Sequence, residues 1–384
     1  MKTYRTALLL YLFINSLFIL KYGLRLLPWY GVVAACLIYA AIVAVSCKYL
    51  LPKLSGLTIT HSAQLITMII CLTFIIAFQY IPDPMSIQVD RWSAIHNFLY
   101  NLTHGIYPYA AQTHLNGYGS PFPVWQLFHL PFYFMGNVGL SFILGILLFT
   151  HSLSLHLKEP GERIAFALLA CSPAFIYEVL VRSDLMTNFM VSMSILLYCI
   201  HYRLSVQKNP VLLGIIIGMT MSTRLSAIIP FCIYYFYEYC HTKLRQQIVF
   251  PTIVLLTFLL TFLPFLLWDR EMLLFFDYNP FILQTRQGHL SDFVLLIPIG
   301  ICLSFWQSKL PLRHLIASAA MLFLLVIITF VHSMMVDNTW SEIFESRFDI
   351  TYFGMSLPFV CATLALYIVD NTDNISTQSQ NKSR

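Results

Sequence analysis

Charge is scarce in this sequence. Lys, Arg, Asp and Glu together make up 10% of 384 residues, while 58% are hydrophobic. That balance excludes a soluble globular chain, which could not hide so much apolar surface. Metal-ligand spacing is absent as well. The nine cysteines include no CxxC pair and all fall in apolar segments, where a buried free thiol is the ordinary state. There is no P-loop, GxGxxG, GxSxG or HExxH. The net charge of +5 comes from Lys and Arg scattered through short connections, so nucleic acid is not an expected partner. Strict apolar/polar alternation is missing too, which excludes a transmembrane barrel.

What is present is a series of apolar runs. Mean hydropathy is +0.74. Runs near the length needed to cross a bilayer recur at about 7–25, 29–47, 62–81, 138–156, 163–181, 184–201, 210–222, 225–240, 247–267, 290–306, 314–333 and 350–369. The expected fold class is all-α: a polytopic integral membrane protein of about twelve transmembrane helices, since a backbone in lipid must satisfy its own hydrogen bonds. The run 210–240 reads as two short helices because Ser222-Thr223-Arg224 breaks it near the middle. The N-terminal run lacks a small-residue cleavage site and reads as an uncleaved first helix. A single membrane domain covers 1–369, and the polar tail 370–384 is expected to be a disordered cytoplasmic segment.

Lys/Arg bias orients the chain. With Lys2 and Arg5 inside, Lys48/Lys53, Lys158/Arg163, Arg203/Lys208, Lys243/Arg245 and Lys309/Arg313 fall inside as well. Most acids then lie outside, among them Asp83, Asp90, Asp184, Asp277 and Asp349. Lys21 and Arg25 break the pattern. The scheme requires that 121–135 does not cross. That piece is short and holds Pro121, Pro123 and Pro131, so it reads as a re-entrant or surface-lying helix.

One stretch, from about Ile81 to Gly136, does not read as membrane helix. It carries Asp83, Asp90 and Arg91, many aromatics, and Gly and Pro at turn positions. Long ordered loops of this kind are usually functional. Residues 90–103 form an amphipathic helix with Trp92, Ile95, Phe98, Leu99 and Leu102 on its apolar stripe. Asp90 heads it, either as an N-cap or as a general base that handles an acceptor hydroxyl. His96, His104 and His114 are too widely spaced for a local metal site. Asp184, in a short charged turn with Arg182, is either a cap or a second acid. Glu178 lies just inside a span, where ionisable groups tend to be functional. Arg224, between Gly214-x-x-x-Gly218 and Pro230, either snorkels to the interface or binds a lipid phosphate with its guanidinium fork. The loop with Gln284 and Arg286 is either a capped interfacial helix or a second ligand-binding element. In the last loop, Arg347 sits among acids as a local ion-pair cluster.

Asp90, the helix after it, Gly105-Ile106-Tyr107-Pro108-Tyr109, Ser120-Pro121, Leu130-Pro131 and Gly136 resemble the first exterior loop of GT-C membrane glycosyltransferases. The likeness is nearest to the bacterial polyprenyl-phosphate-mannose-dependent mannosyltransferases. Here Gly-Ser-Pro-Phe-Pro stands where Tyr-Pro-Pro is common, and Pro280-Phe281-x-x-Gln284 extends the likeness. The resemblance implies a GT-C-like fold in a bacterial inner membrane, with the site facing outside. It implies sugar transfer from a polyprenyl-phosphate donor to a glycan, lipid or protein acceptor, with inversion at the anomeric carbon. By the same resemblance Asp90 is the essential acid, with Asp83 as fallback, and Asp184 faces the same cavity. Arg224 and Arg286 would hold phosphate, Gln284 a sugar hydroxyl, and Trp92, Tyr107 and Tyr109 would stack on sugar rings. No cofactor is required by this reading, though a divalent metal bridging Asp90 to another loop stays open. The rivals are a lipid-linked glycan flippase or transporter and a polysaccharide polymerase. Neither the internal repeat nor the mid-span charge cluster common in transporters is found.

Overall fold

A computed structural model describes residues 2–55, 61–157, 160–286, 288–306, 311–337 and 349–382; among them the fold is all-helical, with one isolated bridge between Gln112 and Tyr118. The chain opens with α1 (Lys2–Gly23), α2 (Trp29–Val45), α3 (Leu51–Ser55) and α4 (His61–Gln79). The long loop folds into α5 (Arg91–Thr103), α6 (Pro123–Phe128) and α7 (Leu130–Phe134). Then come α8 (Ser141–Ser154), α9 (Gly161–Ala170), α10 (Pro173–Leu180), α11 (Leu185–His201), α12 (Pro210–Met221), α13 (Ile229–Cys240) and α14 (Leu244–Trp268). Two short helices, α15 (Arg270–Leu274) and α16 (Pro280–Thr285), lead to α17 (Leu290–Trp306), α18 (Pro311–Asp337) and α19 (Leu357–Lys382). The backbone is thus helical as far as Lys382, through a tail whose composition predicts disorder. The expected ion-pair cluster around Arg347 lies outside the described residues.

Every expected apolar run coincides with helix, but the lengths differ from twelve full spans. Among the described residues, five helical stretches are long and apolar enough to cross a membrane: Lys2–Gly23, Trp29–Lys53, Leu244–Trp268, Arg313–Val336 and Ile350–Asp370. The pair α9 and α10 makes a sixth if its 65° bend is counted within one span. The bend has a local cause. Pro173 has no amide hydrogen to continue α9, and Ser172 caps α10 by accepting from the Phe175 amide while donating to Asn15 of α1. α12 and α13 have 12 residues each, or about 18 Å, against a hydrocarbon core of roughly 30 Å. Ser222–Arg224 separates them, and Arg224 is fully extended at φ −155° and ψ 145°. α6 and α7, at six and five residues, are far too short to cross.

The outer surface is apolar. Leu37, Ile38 and Ile42 of α2, Leu255, Leu259 and Leu263 of α14, and Val294 and Ile297 of α17 are all exposed. A soluble protein does not present such continuous apolar faces; a bilayer covers them. The interior falls into two main parts. A large core joins α1, α8 to α11, α18 and α19 around Phe149, Phe189 and Phe359. A second core packs the long loop on α14, with Phe98, Phe122 and Trp125 against Phe258, Phe262 and Phe265.

α12 lies against α14 through its glycines. A Cβ on Gly218 would meet the Val254 carbonyl at 2.6 Å and Thr257 Cβ at 2.7 Å. Small residues of this kind let two backbones approach closely in lipid. Gly218→Ala is therefore expected to destabilise the fold by about 1–3 kcal/mol, the usual range for overpacking. Thermal unfolding in detergent measures it. Gly300→Ala, whose added methyl meets only Met321 at ordinary contact distance, should leave the midpoint unchanged.

Candidate functional site

Asp90 stands at the head of α5, but its side chain makes no capping bond. Its Oδ2 instead accepts from Thr113 Oγ1 at 2.9 Å, and Thr113 in turn accepts from the Gly117 amide. A Cβ on Gly117 would sit 2.9 Å from that same carboxylate oxygen, so glycine is needed for the turn to close on it. Asp184, at the head of α11, likewise makes no capping bond. Glu178 reaches over from α10 and accepts from the Met186 amide, which leaves Asp184 for other work.

That work is a buried ion pair. Asp184 Oδ2 accepts from Arg224 Nη2 at 2.8 Å and from the Trp125 indole nitrogen at 2.6 Å. The side chains of Asp184 and Arg224 are 3% and 5% exposed, so the pair is almost wholly out of solvent. Burial alone would raise the Asp184 carboxyl, but Arg224, Arg91 and His129 outweigh it and hold the group near pH 2. Around the pair, Asp184 Oδ1, Arg224 Nε, Asn188 Nδ2 and His129 Nε2 are buried without a hydrogen-bond partner among the described residues. Such a concentration is unusual, because buried polar atoms are nearly always satisfied.

Arg91 makes the second tie. Its Nη2 donates to Asp349 Oδ2 at 2.6 Å and to Thr351 Oγ1 at 2.7 Å, and its Nη1 donates to Ser183 Oγ at 3.2 Å. The guanidinium also stands 5.2 Å from the Tyr352 ring. Arg182 does not pair with Asp184. It lies at φ +51° and donates twice to the Gln79 carbonyl. Trp92 donates to Asn137 Oδ1, stacks on His96 and lies beneath Arg182.

Arg224 opens onto a cavity of about 310 Å³. Its polar wall includes Ser120, Ser226, Gln284 and Tyr352, while its apolar wall is shared by α13, α17 and α18. Four residues of that wall, Ile229, Phe293, Leu296 and Leu325, also line a second, wholly apolar groove that continues between the same helices. Gln284 is held at the polar end by donating to the Ser120 carbonyl at 2.8 Å. The result is a cavity with a buried guanidinium at one end and a hydrocarbon channel at the other.

The structure therefore joins Asp184 to Arg224 and sets Arg224 and Gln284 on one cavity. Asp90, Trp92, Tyr107, Tyr109 and Arg286 are not among the residues lining it. Arg286 is exposed. Tyr107 and Tyr109 are 8% and 4% exposed and belong to the second core. Their rings meet Trp268, Phe98 and Phe265 edge-on, so packing occupies the faces that a sugar would need. His114 is bonded to Ser93 and the Ile87 carbonyl, and His104 to Tyr100. Among the described residues, no group of three or more His, Cys, Asp or Glu is placed to hold a metal ion.

Several contributors escape sequence reasoning. Trp125 reads as one aromatic among many, and Asp349 and Thr351 are remote in the chain from Arg91. Asp292, inside the α17 run, bonds His332 of α18 at 2.6 Å. An acid within an apolar run was the available signal for that pair.

Fold and site together define a helical membrane protein with a buried ion pair beside an amphipathic cavity. The chain matches no family model, no curated protein and no solved structure.

The Asp184 carboxyl lies below its ordinary value of 3.8, so the stability it contributes is fully present above that value. It is lost as pH falls through about 2. Asp184→Asn leaves Arg224 buried without a counter-charge, a change that typically costs about 3–5 kcal/mol. The gap in thermal midpoint between wild type and Asp184→Asn should stay constant from neutral pH to about 5, then narrow in more acid buffer. A gap that is flat through the acid range would show that the carboxylate charge is not what holds the pair.

Proposed function

We propose that this protein is a membrane glycosyltransferase that takes its sugar from a polyprenyl-phosphate donor and passes it to an extracytoplasmic glycan, lipid or protein. The observation that carries the reading is the cavity: Arg224 at its polar end and an apolar groove running on between α13, α17 and α18. A lipid phosphate has this shape and polarity, with an anionic head and a long hydrocarbon tail. A guanidinium suits phosphate oxygens through paired N–H donors, and Arg224 Nε has no partner among the described residues. The groove opens sideways among helices that a bilayer would surround, so a lipid could enter without leaving the membrane.

In this reading Asp184 is a positioning residue that fixes Arg224, and Gln284 meets the donor beside Ser120. Asp90 is the acid that the GT-C likeness assigns to the acceptor, which it would orient with Thr113. The twelve apolar segments, a GT-C-like arrangement, both termini in the cytoplasm and a bacterial inner membrane belong to the same proposal. A flippase could use the same cavity, but it would move the lipid without consuming it.

Purified protein in proteoliposomes with polyprenyl-phosphate mannose separates these possibilities. Transfer or release of mannose supports the enzyme, while movement of intact donor between leaflets supports a flippase. Arg224→Lys keeps the charge opposite Asp184 but loses the fork. Its donor KM should rise tenfold or more, equivalent to about 1.4 kcal/mol, with a smaller change in kcat. Unchanged kinetics would end the phosphate role. Asp90→Asn keeps the shape and should lower turnover by about 100-fold if the carboxylate orients the acceptor hydroxyl. Full activity would remove the residue-level support for the GT-C likeness.

A further inference from the structure

Asp292 and His332 form a pair that the reading above does not use. Asp292 lies in the first turn of α17 and its side chain is 4% exposed. Its Oδ1 is 2.6 Å from His332 Nδ1, and its Oδ2 accepts from the His289 amide at 2.9 Å. Both carboxylate oxygens are thus engaged, and the imidazole is oriented from one side. A ring bonded through Nδ1–H to a carboxylate is held in the tautomer whose Nε2 carries the lone pair. Among the described residues, Nε2 has no hydrogen-bond partner. His332 is 32% exposed. Asp292 lines the Arg224 cavity with Gly288 and Thr329, and His332, one turn beyond Thr329 on α18, adjoins that wall through Asp292.

The other acids are poorly placed to take a proton in this cavity. Asp184 is pinned by two donors and held at low pKa by Arg224, Arg91 and His129. A carboxylate so stabilised is a weak base. Asp90 is engaged by Thr113, and among the described residues no side-chain bond joins it to the cavity wall. The charged and titratable groups facing His332 among the described residues are Asp292 and the ring of His289, whose centroid is 4.4 Å away.

We infer that the Asp292–His332 pair is the proton acceptor of this cavity: His332 Nε2 takes the proton of the attacking hydroxyl, and Asp292 orients the ring and stabilises the imidazolium. The inference rests on the donor reading. In the step, the acceptor oxygen bonds to the anomeric carbon. The bond from that carbon to the lipid phosphate oxygen breaks, and its electron pair leaves with the phosphate beside Arg224. The hydroxyl proton moves to Nε2 and passes to water once the products separate.

The test uses full-length protein in proteoliposomes, with polyprenyl-phosphate mannose as donor and water as acceptor, so that no acceptor need be known. Release of polyprenyl phosphate is followed against pH, and binding of polyprenyl phosphate is measured separately. Wild type should show an activity limb that rises with pH, as a general base requires. His332→Gln should lose about 100-fold or more in release, in the range of general-base removal, together with that limb. Its binding should be unchanged, which also reports that it folds. Asp292→Asn, which leaves the imidazole but changes its partner, should keep binding and lose less. If both variants bind and release at the wild-type rate with the same limb, the dyad is wrong and the donor reading stands. If wild type binds the lipid phosphate but releases nothing at any pH, the dyad has no proton to accept and falls. If wild type does not bind it, the donor reading falls and the dyad with it.

Discussion

The Asp184–Arg224 pair is the contact on which the rest of the site depends. Three separate segments meet there: the turn between α10 and α11 supplies Asp184, the break between α12 and α13 supplies Arg224, and α6 supplies Trp125. Taking two charges out of water is costly, and the attraction between them offsets that cost only with good geometry and further hydrogen bonds. Trp125 supplies one such bond, while the second carboxylate oxygen and Arg224 Nε have none. A pair built only for stability would be better satisfied. This one keeps a guanidinium fixed beside an amphipathic cavity with polar atoms left unpaired among the described residues.

Arg91 does for the long loop what Asp184 does for the helices. It stands next to Asp90 in the chain, and its bonds run to Asp349, Thr351 and Ser183. The start of α5 is thereby tied to the segment leading into α19 and to the α10–α11 turn. Asp349 is held below the usual carboxylate range, burial being outweighed by Arg91 and by bonds from Thr351. The position of Asp90 is thus set by a neighbour two of whose partners, Asp349 and Thr351, are 258 and 260 residues away.

The helices were legible in the sequence because their signal is local. Apolar runs, Pro173, Pro230 and the polar break at Ser222–Arg224 mark elements from within a short window, and α5 follows directly from its apolar stripe. Span lengths were less legible, since an apolar run does not say where its helix bends. Of the site, Arg224, Asp184 and Gln284 could be singled out as polar residues in an apolar chain. That Asp184 faces Arg224 rather than Arg182 could not be, because the left-handed backbone at Arg182 turns that side chain towards Gln79. Tyr107 and Tyr109 look like sugar platforms by type. Aromatic residues serve packing and stacking alike, and only their neighbours Phe98, Phe265 and Trp268 distinguish the two. Asp292 and His332 lie inside apolar runs, where hydropathy averages them away.

The placement of the cavity follows from the same constraint that makes the rest of the chain helical. Backbone that is not helical is tolerated at membrane depth only where it is buried in protein or lines a cavity. The break at Ser222–Arg224 frees two carbonyls, and the start of α6 satisfies them: the amide of its N-cap, Phe122, donates to the Thr223 carbonyl and the Val124 amide to the Ser222 carbonyl. The long loop is therefore the hydrogen-bonding partner that the broken helix requires. Removing the break would give a longer, more stable helix, but Arg224 would then project from a regular surface instead of sitting extended at the head of α13. Two short helices, the loop that bonds the gap between them and a buried arginine thus belong to one arrangement, in which the gap forms part of the cavity wall.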